Sequence, residues 1–204
     1  MWKKELDKGE GEKSIIQENK SIDIVYIDFA RAFDSVPINR ILYKLKSIGI
    51  AGKIYTFIKN FLENRTFRVK IENTLSDSYP TLSGVPQGSV LGPLLFLIFI
   101  NDLPKYLPEG IHIKFMPTTT EVLSEALSCI EQWSILNGLY ISLEKCVVLY
   151  IGKNNNKRTY KLLGKQMNEV DSVRDLGIII DSSLSFSQHY EKIIKNAYFL
   201  THQI

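Results

Sequence analysis

The sequence predicts an α+β fold, and three observations carry that prediction. A β-branched run, Ile22 to Ile27, gives way to helical spacing from Ile38 onward. A very apolar segment, Val90 to Ile100, follows a loop rich in glycine and proline. After Asn137-Gly138 the pattern turns to short strands separated by polar turns. That order suits an antiparallel sheet with helices on one face. A chain of 204 residues is long enough for one domain with its own core, and 45% apolar residues argue against wholesale disorder.

Residues 1–20 are polar and charged and read as a lead-in. Ile22 to Ile27 is the first strand, and it delivers the chain to Asp28. Pro37 stands where a helix would start, and Ile41, Leu42, Leu45 and Ile48 form its apolar stripe. Gly49 and Gly52 interrupt it before a second helix with Ile54, Phe57, Ile58, Phe61 and Leu62 on one face. Phe67 to Glu72 alternates strictly and predicts a half-buried strand, with a short strand ending near Leu82. The segment from Val90 to Ile100 is apolar nearly all round and predicts a buried central helix. Ile111 to Phe115 reads as a strand, and Glu121 to Leu136 as a helix closed by the C-cap signal Asn137-Gly138. Strands are expected at Lys145 to Ile151, Tyr160 to Leu163 and Arg174 to Ile180, and a last helix from about Phe186.

The net charge of +3, from 25 basic and 22 acidic residues, is compatible with a polyanionic partner without requiring one. Cys129 and Cys146 form no metal-binding spacing, so no disulfide is expected and a reduced intracellular setting, nucleus or cytoplasm, is the default. No signal-peptide core precedes the first strand. The longest apolar run, Leu94 to Ile100, is too short to span a bilayer.

Two segments carry chemistry. Asp28 leaves the end of a hydrophobic strand, a rigid position for a carboxylate that holds a metal ion, although acids there are more often turn residues. Gly84-Val85-Pro86-Gln87-Gly88-Ser89-Val90-Leu91-Gly92-Pro93 packs three glycines and two prolines around a Gln and a Ser in a tightly constrained loop before a helix.

Together these segments resemble the reverse transcriptases of non-LTR, LINE-like retrotransposons. Tyr26 to Pro37 looks like motif A of that family, and Gly84 to Pro104 is very like motif B. Glu131 to Gly152 is similar to the motif D region, and Val173 to Ala197 to the hairpin and thumb start that follow. The resemblance implies a palm domain over 21–183, the start of a thumb helix over 184–204, and nucleotidyl transfer on an RNA template and DNA primer with two Mg²⁺ ions. It assigns Asp28 as metal ligand, with the Phe29 carbonyl as accessory ligand. Phe33 would lie under the incoming sugar, Gln87 and Gly88 would line the nucleotide pocket, and Lys145 would donate a proton to pyrophosphate.

The family's motif C carries two adjacent aspartates, and this chain has no Asp-Asp dipeptide. At the expected place it reads Phe115-Met116-Pro117-Thr118-Thr119-Thr120, and the interval to Trp133 is short. One carboxylate poorly neutralises two divalent ions, and threonine hydroxyls are weak Mg²⁺ ligands. Asp102, Glu109 and Glu121 are the nearest other acids; Asp102 fits a capping role and Glu121 a helix first turn. Little precedes motif A that could form the family's basic fingers. Arg65, Arg68, Lys70, Lys153, Lys157 and Arg158 could touch a phosphate backbone, as exposed charged faces often could. The expectation is a palm fragment that is inactive as written. The alternatives are an active polymerase subunit, a gene product from which the dyad was lost in reading the gene, and a nucleic-acid-binding remnant.

Overall fold

The computed structural model describes residues 21–108, 120–152 and 154–201. In chain order the first elements are β1 (Ile22–Tyr26), α1 (Ala32–Ser35), α2 (Ile38–Ser47), α3 (Gly52–Leu62), β2 (Thr66–Phe67), β3 (Lys70–Ile71), β4 (Thr74–Leu75), β5 (Tyr79–Pro80) and α4 (Leu91–Ile100). After a 3₁₀ turn (Leu103–Tyr106) come α5 (Thr120–Asn137), a second 3₁₀ turn (Leu143–Lys145), β6 (Val147–Ile151), β7 (Lys161–Leu162), β8 (Lys165–Gln166), β9 (Asn168–Val170), β10 (Ser172–Asp175), β11 (Ile178–Asp181) and α6 (Ser187–Thr201). These form two compact units, each assembled from separate stretches of sequence. Among the described residues, the helical unit holds 28–108 and 125–142, and the sheet unit holds 21–27, 120–124, 143–152 and 154–201.

The helical unit is built on apolar faces at helical spacing. Ile41 and Leu45 of α2, Ile58 and Leu62 of α3, and Leu95 and Phe99 of α4 meet Val36, Val85, Trp133 and Leu139 in one core. The carbonyl of Pro37 accepts the amides of Arg40 and Ile41, so this fixed-φ residue opens α2 as expected. Phe99 and Trp133 meet edge-on with centroids 6.0 Å apart, a geometry that adds about 1 kcal/mol beyond their burial. The Asn137-Gly138 stop is observed: the Gly138 and Leu139 amides return to the carbonyls of Ile135 and Ser134.

Two expectations change here. The helix over 91–100 is buried on one face only, through Gly92, Leu95 and Phe99, while Leu94 and Leu97 are 52% and 60% exposed. Neighbours of the unit cover the i, i+3, i+7 stripe, and uniform hydropathy cannot say which stripe that is. The strand expected over 67–72 is a broken, exposed hairpin. Thr66 pairs with Pro80 and Lys70 with Leu75, so the return arm carries one extra residue. Val69 sits at the break, and its amide donates to the Ser76 hydroxyl at 2.9 Å.

In the sheet unit, β1 pairs antiparallel with β6 in the register Ile22↔Ile151 to Tyr26↔Val147. The third strand, β9, joins β6 in parallel, so this sheet is mixed rather than purely antiparallel. Four of the five β6 residues are buried, which fits its central place in the sheet. Ile22, Leu149 and Ile151 pack with Ile24, Val170, Val173 and Ile180. The single strand expected over 174–180 is a hairpin, because Leu176 and Gly177 both adopt positive φ and turn the chain between β10 and β11. The expected strand over 111–115 and the lead-in over 1–20 lie outside the described residues. No helix among the described residues is long and apolar enough to cross a membrane.

The turn into α6 is fixed by one carboxylate. Asp181 accepts from the Ser183, Ser185 and Phe186 amides and from the Ser183 and Ser185 hydroxyls. Burial pushes its carboxyl up, but these donors outweigh burial and hold it at about 2. The stabilisation is therefore complete above the ordinary aspartate value near 3.9 and fades as pH falls through about 2. Asp181→Asn should lower the thermal midpoint at pH 6, and the gap to wild type should shrink between pH 4 and pH 2, as followed by circular dichroism.

Candidate active site

The backbone around Asp28 is held from one side by the segment after α5. The Ala30 amide donates to the Tyr140 carbonyl at 2.8 Å, and the Ser142 amide donates to the Asp28 carbonyl at 2.8 Å. Phe29 and Ile141 face each other across this bridge. The bonds come from the residues flanking Phe29, so the Phe29 carbonyl takes no part in it. Its ring lies 5.9 Å from Trp133. Arg31 then adopts φ 46° and ψ 46°, the left-handed region that costs a non-glycine residue roughly 1–2 kcal/mol. That reversal starts α1 and directs Phe33 onto Phe96, with ring centroids 4.8 Å apart.

The loop from Ser83 to Ser89 is fastened to this turn. The Gly84 amide donates to Val36, the Val85 amide to Phe33, and the Ser83 hydroxyl to the Asp34 carbonyl at 2.7 Å. A Cβ on Gly84 would stand 2.8 Å from the Asp34 carbonyl oxygen, so only glycine allows the approach. The Gln87 amide donates to the Asp34 carboxylate at 2.8 Å. Ser89 closes the loop, its hydroxyl donating to Pro86 and accepting from the Gly92 amide. A Cβ on Gly92 would lie 2.4 Å from the Pro86 carbonyl oxygen. Gly88 sits at φ 78° with open space where a side chain would point.

The structure thus brings Asp28, Phe29, Phe33, Gln87 and Gly88 into one unit. Lys145 belongs to the sheet unit, exposed in the 3₁₀ turn before β6. Arg65, named above as a phosphate contact, is a loop clamp: its guanidinium donates to the carbonyls of Leu62, Ser83 and Gly84. Arg68 and Lys70 are exposed on the hairpin. Lys153 lies outside the described residues, and Lys157 is ion-paired with Glu169.

Asp102 stands at the N-cap position of the 3₁₀ turn Leu103–Tyr106, but its side chain makes no capping hydrogen bond. Its carboxylate accepts from Lys44 at 2.8 Å and from the Trp133 indole at 3.0 Å. The Lys44 ammonium also donates to the Phe99 carbonyl at 2.6 Å and lies 4.4 Å and 4.8 Å from the Phe99 and Trp133 ring centres. Burial lowers the Lys44 pKa, and Asp102 opposes that shift. The sequence carried a signal for this cluster. Lys44 stands at i+3 on the stripe of Ile41, Leu45 and Ile48, where a solvent-facing lysine would not belong.

Two-metal chemistry needs several carboxylates within reach of one another. Among the described residues, no group of three or more His, Cys, Asp and Glu side chains is placed to hold an ion. The Asp34 carboxylate is engaged by Gln87, and that of Asp102 by Lys44 and Trp133. The described donor set therefore does not fit a two-metal centre. Glu109 and the segment over 115–118 lie outside the described residues.

A family model described as reverse transcriptase (RNA-dependent DNA polymerase) matches residues 4–180. The chain belongs to the reverse transcriptase family. It is 32% identical over 197 residues to the RNA-directed DNA polymerase from mobile element jockey of Drosophila melanogaster, covering 86% of this chain and 21% of that protein. It is 28% identical over 213 residues to the probable RNA-directed DNA polymerase from transposon BS of the same organism, covering 91% of this chain and 23% of the relative. The chain thus spans about a fifth of the length of such curated relatives. Its domain is of the non-LTR retrotransposon type. A truncated apo telomerase from Candida tropicalis shares the fold, with a TM-score of 0.55 at 16% identity, covering 77% of this chain and 36% of that one.

Two outcomes test the construction of this reverse transcriptase site. Gly92→Ala should cost about 3 kcal/mol, because the clash is with backbone, whereas Gly88→Ala should cost only about 1 kcal/mol of left-handed strain. Asp102→Ala should cost about 3 kcal/mol by leaving the Lys44 ammonium without its counter-charge. Urea unfolding of each variant measures these differences.

Proposed function

We propose that this chain carries the palm of a non-LTR reverse transcriptase over 21–183, with the start of a thumb helix over 184–204, and that it does not catalyse polymerisation as written. The observation that carries this reading is the sequence between Lys114 and Glu121, which holds no aspartate, in a chain with no Asp-Asp pair. The engagement of Asp34 by Gln87 and of Asp102 by Lys44 and Trp133 supports it, since neither acid is available to replace the pair without breaking a contact that holds the unit together. In this reading the ancestral substrates are an RNA template, a DNA primer and deoxynucleotides, with Mg²⁺ as cofactor. Asp28 and the Phe29 carbonyl are what remains of the metal corner. Phe33, Gln87 and Gly88 keep the shape of the nucleotide side, and Lys145 keeps the motif D position. The two cysteines, neither in a disulfide among the described residues, fit a reducing intracellular setting, nucleus or cytoplasm.

Purified protein given Mg²⁺ or Mn²⁺, a primed RNA template and deoxynucleotides should leave the primer unextended. Extension that disappears in Asp28→Ala would overturn the proposal, because it would show a working metal site built without the aspartate pair.

A further inference from the structure

The net charge of the chain conceals an asymmetry. From Ile38 to Ile71 there are eight basic residues and a single acid, Glu63. That stretch alone carries more positive charge than the whole chain shows net. Lys44 holds Asp102 and Arg65 clamps the loop carbonyls, so these two turn their charge inward. The helices α2 and α3 bear no acid between them.

A groove of about 780 Å³ lies along these helices, lined among others by Asn39, Tyr43, Lys46, Tyr55, Lys59 and Asn64. Its size falls in the range of clefts that take small organic groups. None of Asp28, Phe29, Phe33, Gln87 and Gly88 lines it. Tyr43 is 73% exposed. Lys46 stands 4.9 Å over the Tyr55 ring, which covers one aromatic face and holds the ammonium at the groove. Lys59 reaches Glu63 at only 3.8 Å, on the exposed surface, a contact too weak to withhold its charge from an anion.

We propose that this groove binds single-stranded nucleic acid, with Tyr43 as the stacking platform for a base and Lys46 and Lys59 as phosphate contacts. The combination decides the class of ligand. Lysines alone would suit any polyanion, but an uncovered aromatic face beside them matches the alternating base and phosphate of an unpaired strand. A duplex hides its base faces and would use the lysines only. The asparagines add donors and acceptors for base edges or sugar hydroxyls. The site does not rest on polymerase competence, since it shares no residue with the Asp28 corner.

The test is a fluorescence-anisotropy titration of the full chain with labelled oligouridine, without divalent metal or nucleotides, at several salt concentrations. Wild-type affinity should fall steeply with salt. Tyr43→Ala should weaken binding about tenfold, the order expected for losing one stacked base, and Tyr43→Trp should preserve it. Lys46→Glu and Lys59→Glu should each weaken binding and flatten the dependence of log K on log salt by about 0.7. Arg174→Glu, on an exposed strand of the sheet unit, should change little. Light-induced cross-linking of 4-thiouridine oligomers, mapped by mass spectrometry, should label the peptides holding Tyr43 or Tyr55, and this readout needs no variant to fold. Unchanged affinity in Tyr43→Ala, cross-links confined to other segments, or equal displacement by polyglutamate would each overturn the proposal. The primer-extension assay reads the Asp28 corner separately, so failure of one conclusion leaves the other standing.

Discussion

The helical unit depends on a close backbone approach, that of Gly84 to Asp34. A missing side chain lets two segments about fifty residues apart in sequence run against each other, and every nearby contact follows. The Val36 and Phe33 carbonyls receive the loop amides, Arg65 ties the loop from behind, and Gln87 reaches the Asp34 carboxylate. The turn after Asp28 and the loop before α4 are therefore one rigid body. Rigidity of that kind is what a nucleotide site requires.

The second constraint is the buried ammonium of Lys44. An unpaired charge at that depth would be prohibitive, yet the pocket offers a carboxylate, a carbonyl and two aromatic faces. Asp102 also receives the Trp133 indole, so one acid joins α2, the end of α4 and α5. The run Asn101-Asp102-Leu103-Pro104, the end of the segment that resembles motif B, gains a physical reason from this. Its acid is a structural counter-ion rather than a spare metal ligand.

Much of this was legible in the sequence, for reasons that can be named. Ile41, Leu42, Leu45 and Ile48 announced α2, and Asn137-Gly138 announced the end of α5, because periodicity and capping are local. The family was legible because the Gly84 to Pro93 loop tolerates so few residues, and the clashes at Gly84 and Gly92 show why. What escaped was set by distant partners. Alternation over 67–72 could not reveal that Phe67, Val69 and Ile71 would stay exposed, at 52%, 50% and 70%. Asp102 looked like a cap because Lys44 and Trp133, 58 and 31 residues away in sequence, were not yet beside it. Arg65 looked like a surface charge because the carbonyls it serves lie 18 and 19 residues on.

The interleaving of the two units has a kinetic consequence. The strand that opens the sheet unit must wait for Val147–Ile151 before it gains a partner, and the turn at Phe29 must wait for Ile141. As the chain is made, neither unit can close on itself until the segment 141–151 has followed. Loop-closure entropy on that scale favours slow folding, with the apolar faces of β1 and α4 open to solvent meanwhile. The exposed Leu94 and Leu97 add apolar surface on which such an incomplete chain can associate with others.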